Sequence, residues 1–197
     1  MITEHLMEQA LSYKDYKKLL TELLAVNKTT GTNQSEEYLN YAKINLQRTQ
    51  RIEKTCVLTE EIKLQATEIK SSYAWLVIAE GWCGDAAQNI PVIALTANAI
   101  NTIDLKLILR DEHPEIMDRY LTNGSRSIPK LICFEKVNLK EVFVWGPRPA
   151  KLQKIVLDLL AKQISKEEKG LITQKWYTQD KTESLQRELL ALLKTLN

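Results

Sequence analysis

The spacing of apolar residues along the chain changes near residue 72. Before this point apolar residues recur at three- and four-residue intervals, which is typical of amphipathic helices. Ser or Thr caps followed by acidic residues in the first turn predict helices over residues 12–27, 35–54 and 59–70. We therefore expect residues 1–70 to form an N-terminal helical extension.

After residue 72, short β-type runs alternate with helical segments. Strands are predicted at 74–79, 103–109, 130–135 and 141–145, and helices at 85–100, 114–121, 147–169 and 178–196. The β-α-β part of this order requires parallel strands, whereas the β-β step gives an antiparallel pair. The pattern predicts an α/β fold with a mixed central sheet between helical layers.

Composition and charge narrow the function classes. The 197 residues include 27 Lys and Arg against 25 Asp and Glu, and no segment is basic enough to indicate nucleic-acid binding. No run is long and apolar enough to indicate a membrane partner, and the N-terminus lacks the pattern of a signal peptide. Three cysteines fit a reducing compartment, so we expect a cytoplasmic protein.

The segment Trp82-Cys83-Gly84-Asp85-Ala86 follows the first predicted strand directly. A cysteine at the start of a helix meets free N–H groups, which lower the pKa of its thiol and favour a nucleophilic thiolate. Asp85 opposes this effect, and we interpret it mainly as a favourable acid in a first helical turn. Ala86 stands where the second cysteine of a dithiol pair would lie.

The element order, together with three local motifs, resembles the thioredoxin fold. The motifs are Trp82-Cys83-Gly84 after the first strand, Arg126-Ser127-Ile128-Pro129 before the third, and Trp145-Gly146-Pro147 after the last. The resemblance implies a thioredoxin-like three-layer domain over residues 71–169. Residues 170–197 would then be a C-terminal helical extension packed on that core.

The resemblance also implies the site residues. Cys83 would be catalytic, and the substrate-binding residues would be Trp82, Gly84, Asp85, Ile128, Pro129 and Arg126. The Ile128–Pro129 peptide bond would be cis and lie beside Cys83. No cofactor is implied, and the isolated His5 and His113 have no metal-ligand spacing to a cysteine, so no metal site is expected.

Two departures from thioredoxins bear on activity. Ala86 replaces the resolving cysteine, and Val77 stands where thioredoxins carry a buried aspartate that helps proton transfer. Both losses remove parts of the dithiol reductase cycle.

Three functions compete. The first is a monothiol thioredoxin-like protein, in which Cys83 attacks a protein disulfide or reacts with a low-molecular-weight thiol partner, and an external thiol resolves the intermediate. The second is a non-catalytic binding module for a protein partner. The third, an iron–sulfur carrier resembling monothiol glutaredoxins, is the weakest because residues 142–147 lack the Gly-Asp-Asp signature of that group.

Overall fold

A computed structural model describes residues 2–196. The N-terminal elements are α1 (Glu4–Gln9), α2 (Tyr13–Ala25), α3 (Glu36–Thr55) and α4 (Glu60–Glu68). The middle of the chain forms β1 (Tyr73–Ala79), α5 (Gly84–Asn98), β2 (Ile103–Leu109), α6 (Pro114–Met117), β3 (Lys130–Glu135) and β4 (Glu141–Trp145). The C-terminal helices are α7 (Ala150–Ala161), α8 (Lys166–Asp180) and α9 (Glu183–Leu193). In the described range, no helix has the length and apolar character needed to cross a membrane.

The four strands form one sheet in the order β2-β1-β3-β4. Strand β1 pairs in parallel with β2, from Tyr73 opposite Ile103 to Ala79 opposite Leu109. It pairs antiparallel with β3 on its other side, and β3 pairs antiparallel with β4. The predicted α/β fold with a mixed sheet is confirmed, and β1 is buried over its whole length because it is flanked on both edges and covered on both faces.

The predicted starts of the N-terminal helices are confirmed by their caps. The side chains of Ser12, Ser35 and Thr59 each accept the N–H three residues further on, which satisfies one of the free donors of the first turn. Helix α1 was not predicted. It is capped in the same way by Thr3.

The continuous helix predicted over residues 147–169 is wrong, because the chain breaks it into α7 and α8. Gln163 adopts a φ of 55° after α7. The Ser165 side chain then accepts the N–H of Glu168 at 3.1 Å and starts α8. Ser165 and Glu168 have the spacing of a capping box, which was the local signal for a second helix start.

The continuous helix predicted over residues 178–196 is also wrong. Helix α8 runs on to Asp180, and Lys181 and Thr182 take left-handed φ values of 48° and 71° before α9 begins. The Gln186 amide donates to the Thr182 hydroxyl at 3.0 Å and holds this turn. No glycine marks it, so residue preference gives no warning.

Helix α9 belongs to the main hydrophobic core. Its apolar face contains Leu185, Leu189, Leu193 and, just beyond the helix, Leu196, all 0–1% exposed. These residues share one cluster of buried side chains with β1 and with Tyr16 of α2. A smaller cluster joins α7 and α8 through Leu152, Val156 and Tyr177. Burial of this kind supplies most of the stability of amphipathic helices.

Replacing Leu189 by Ala tests the place of α9 in the core. Leu189 is 0% exposed, so the change should lower the free energy of unfolding by about 2–5 kcal/mol. Leu171→Ala is the matched control, because Leu171 is 73% exposed and should change stability by no more than about 0.5 kcal/mol. Urea unfolding measures both. Equal, small effects would show that α9 does not pack on the main core.

Candidate active site

Cys83 is the N-cap residue of α5. Its Sγ accepts the N–H of Ala86 at 3.5 Å and donates to the carbonyl oxygen of Ile128 at 3.3 Å. Its own N–H donates to the Glu80 carbonyl at 3.1 Å. The structure thus brings Cys83 against Ile128, which lies 45 positions away in sequence. The thiol is buried, with the residue only 8% exposed.

Two loops that end in proline meet beside this cysteine. The Ile128–Pro129 and Gly146–Pro147 peptide bonds are both cis. A side chain at Gly146 would overlap the Pro129 carbonyl, and Gly146 has a φ of 112°, which L residues rarely adopt. Glycine at this position therefore permits the close approach of the two loops.

Asp85 forms a buried ion pair, so it is more than a first-turn acid. Its Oδ2 lies 2.7 Å from the Arg148 guanidinium, and the Tyr177 hydroxyl donates to its Oδ1 at 2.8 Å. The Asn89 amide donates in turn to the Tyr177 hydroxyl at 2.9 Å. Burial raises the pKa of Asp85, while Arg148 and Tyr177 act in the opposite direction and favour the carboxylate. These contacts link α5 to the segment before α7 and to α8.

The expectation that the helix end lowers the pKa of Cys83 is wrong. Burial and, to a smaller extent, the negative charge of Asp85 raise the pKa of the thiol to about 12. The N–H groups of Ala86 and Asp85 and the positive charge of Arg148 act in the opposite direction but are outweighed, because removing a charged sulfur from water costs more than these contacts return. In this arrangement Cys83 is a protonated thiol at neutral pH.

Helices α3 and α8 cover the start of α5. A side chain at Gly84 would begin 3.3 Å from the Gln174 amide nitrogen and 3.5 Å from the Arg48 guanidinium. The Gln88 and Gln174 amides are hydrogen-bonded at 2.9 Å. Gly84 therefore faces the covering helices. Sequence reasoning missed this cover, since neither helix carries a motif that relates it to Cys83.

Glu80 is a second residue that sequence reasoning missed. It is 0% exposed, and its Oε1 accepts the N–H of Asp111 at 2.9 Å. Its Oε2 is buried and has no hydrogen-bond partner within residues 2–196. Burial raises the pKa of Glu80, while the Thr30 hydroxyl and the Asp111 N–H act in the opposite direction. A carboxyl group at the end of a buried apolar strand was the available signal.

A small cavity connects Glu80 with the start of α5. It has a volume of about 10 Å³, close to the space of one water molecule, and its walls include Tyr16, Glu80 and Ala86. Glu80 and Cys83 both act electrostatically on Tyr16, raising its pKa beyond the effect of burial. A buried carboxyl, a phenol and the thiol therefore lie in one neighbourhood.

Trp82 lies in an aromatic and cationic cluster next to the cysteine. Its ring centroid is 5.1 Å from that of Tyr38, and the Arg110 guanidinium lies 4.7 Å from the Trp82 ring centre. Arg110 also donates to the carbonyl of Arg126 at 3.3 Å. The Arg126 side chain itself is half exposed and forms a two-pronged pair with Asp118 at 2.6 and 2.7 Å.

Comparison with known proteins agrees with this architecture. A thioredoxin family model matches residues 31–169. The structure is similar to a crystal structure of a protein of unknown function from Pseudomonas aeruginosa, with a TM-score of 0.63, 15% identity and coverage of 98% of both chains. It is also similar to the crystal structure of an HIV epitope-scaffold, with a TM-score of 0.56, 16% identity and coverage of 88% of this chain and 96% of the other. At these identities the likeness shows the fold alone. No curated protein matches the chain.

Asp85→Asn tests what sets the reactivity of Cys83. Removing the buried negative charge should lower the pKa of the thiol, and a fall of about one unit gives about tenfold more thiolate at a given pH. Alkylation by iodoacetamide at mildly alkaline pH, followed at Cys83 by mass spectrometry, measures the rate. Asp118→Asn, which removes a half-exposed carboxylate, is the control.

Cys133 provides an internal check in the same experiment, because it is 0% exposed and reacts only if the fold opens. Faster alkylation at Cys83 alone is the expected result. An unchanged or slower rate at Cys83 would contradict the electrostatic role of Asp85.

Proposed function

This chain belongs to the thioredoxin family, and we propose that it carries out thiol–disulfide exchange with Cys83 as its only active-site cysteine. The observation that supports this most is the place of the thiol. Sγ lies at the start of α5 and against the Ile128 carbonyl, beside a proline loop that offers backbone groups to an extended substrate. Trp82 and Arg126 flank this region as candidate substrate contacts.

The proposed reaction has two exchanges. Sγ of Cys83 attacks one sulfur of a substrate disulfide, the Cys83–substrate bond forms, the substrate S–S bond breaks, and the other sulfur leaves as a thiolate. An external thiol then attacks the substrate sulfur of the mixed disulfide. This step returns Cys83 to the thiol and releases a new disulfide. Ala86 makes the external thiol necessary, since it offers no internal nucleophile.

The proton of Cys83 needs an acceptor, because a thiol with a pKa of about 12 does not ionise at neutral pH. We assign this role to Glu80. Its free Oε2 is buried, and its side chain shares a cavity wall with Ala86, whose N–H contacts Sγ. Glu80 takes the proton as Sγ attacks and gives it to the departing substrate thiolate. In the second exchange Glu80 carries the proton of the external thiol to Cys83.

One observation favours a second candidate, a binding module without turnover. The raised pKa of Cys83 makes the resting thiol a weak nucleophile. The Trp82, Tyr38 and Arg110 cluster beside it then offers a rigid platform for a protein partner. The proposals differ in whether Cys83→Ser abolishes function or leaves partner binding intact.

Ala86→Cys tests the monothiol proposal. The new cysteine lies three residues after Cys83 and should resolve the mixed disulfide internally, so the variant should turn over faster than wild type in an insulin reduction assay in which dithiothreitol reduces the internal disulfide again after each cycle. Wild type should turn over slowly at the same dithiothreitol concentration, because each mixed disulfide must wait for attack by a dithiothreitol molecule. Ala86→Ser is the matched control, because it adds similar volume at a position that is 1% exposed but adds no thiol.

Cys83→Ser is the fourth protein in this assay, and it should not reduce insulin. Robust wild-type turnover that persists in Cys83→Ser would overturn the mechanism. Absence of any gain in Ala86→Cys, in a folded protein, would favour the binding module.

Glu80→Gln tests the proton acceptor. Loss of a general base should slow the reaction of Cys83 with a small aromatic disulfide at neutral pH by about 100-fold. Because Glu80 accepts a proton only when ionised, the wild-type rate should rise with pH through the raised pKa of Glu80. The variant should lack this rise and gain rate only where the thiol itself ionises.

Glu112→Gln changes an exposed carboxyl nearby and should leave the profile unchanged. A stopped-flow pH profile of the three proteins measures this. An identical profile for Glu80→Gln and wild type would show that Glu80 does not take the proton.

A further inference from the structure

A polar groove lies between α6 and the edge of the sheet. It encloses about 310 Å³, and its walls are Arg119, Tyr120, Leu121, Lys130, Glu141 and Val144. A space of this size admits a small organic molecule. Since β4 is the edge strand of the sheet, the groove opens beside an uncovered side of the fold.

Lys130 is the unusual member of the groove wall. It is only 5% exposed, and its ammonium donates to the Gly146 carbonyl at 3.1 Å. No carboxylate lies within ion-pair distance of it in residues 2–196. An ammonium has three donors, so the carbonyl leaves donor capacity unused. Burial of an unpaired charge is costly unless a counter-charge is supplied.

The rest of the groove wall adds a second positive charge and one carboxylate that already accepts a hydrogen bond. Arg119 stands exposed at the rim and, like Lys130, forms no ion pair within the described chain. Glu141 is the single carboxylate of the wall, and its Oε2 accepts the Tyr120 hydroxyl at 2.9 Å. Two cations thus face one carboxylate that is already hydrogen-bonded, which leaves the groove with a net positive charge.

We propose that this groove is a binding site for a small molecule that bears a phosphate or carboxylate group, with Lys130 at its floor and Arg119 at its rim. The oxyanion accepts the free donors of the Lys130 ammonium and supplies the counter-charge that the fold lacks. The Arg119 guanidinium then contacts the same oxyanion, since its planar donors match both phosphate and carboxylate. The proposal does not depend on redox activity.

The position of Lys130 connects the groove with Cys83. Lys130 directly follows Pro129 and contacts Gly146, so it joins the two proline loops. One loop supplies the Ile128 carbonyl that accepts from Cys83. A bound oxyanion would compete with the Gly146 carbonyl for the Lys130 ammonium, so binding would act on the loop that holds the Ile128 carbonyl.

Binding of two probes, inorganic phosphate and malonate, tests the proposal. Each is titrated into the full chain at millimolar concentration against sodium chloride of equal ionic strength, and backbone amide shifts are followed by NMR. Shifts at Tyr120, Lys130 and Val144 with at least one probe, and not with chloride, are expected. A response to phosphate alone, or to malonate alone, identifies which oxyanion the site prefers.

Lys130→Met removes the charge while keeping the length of the side chain, and should weaken binding by about tenfold or more. Lys140→Met, at an exposed position of the same hairpin, is the matched control and should bind as wild type. Arg119→Gln at the exposed rim should weaken binding to a smaller degree, and it keeps the test valid if Lys130→Met fails to fold. No probe-specific shifts, or shifts that survive both Lys130→Met and Arg119→Gln, would overturn the proposal.

Discussion

The burial of the N-terminus of α5 is the constraint on which the rest of the site depends. A free helix end favours a thiolate, but here α3 and α8 cover the first turn, and desolvation outweighs the helix dipole. The same cover encloses Asp85, which requires Arg148 and Tyr177 as partners. The helices outside the central sheet therefore determine the state of the thiol.

This constraint separates the two properties that a redox cysteine needs. Position is supplied by the sheet, which sets Cys83 beside the Ile128 carbonyl. The helix end does not activate the thiol, so the proposed exchange needs a neighbouring base or exposure of the site. Glu80 is the group best placed for the first route, because it is fully buried and keeps one carboxyl oxygen without a partner in residues 2–196.

The fold was largely predictable from the sequence because strand and helix periods differ clearly between residues 73 and 145. Cys83 and Ile128 could also be predicted from the sequence, since each lies in a recognisable motif. The pKa of Cys83 could not be predicted, because it depends mainly on burial of the thiol, and no motif in the sequence marks the helices that cover the start of α5. The turn at Thr182 was missed for a related reason: contacts from α9 stabilise it, and no local preference marks it.

Intact-protein mass spectrometry after exposure to an excess of a small disulfide tests the central claim most directly. Thiol exchange at a single cysteine predicts one mixed disulfide, located at Cys83, that persists until an external thiol is added and then disappears. Cys56 and Cys133 should remain free thiols, as they are in the structure. No adduct at Cys83, or an internal disulfide that forms in its place, would contradict the account.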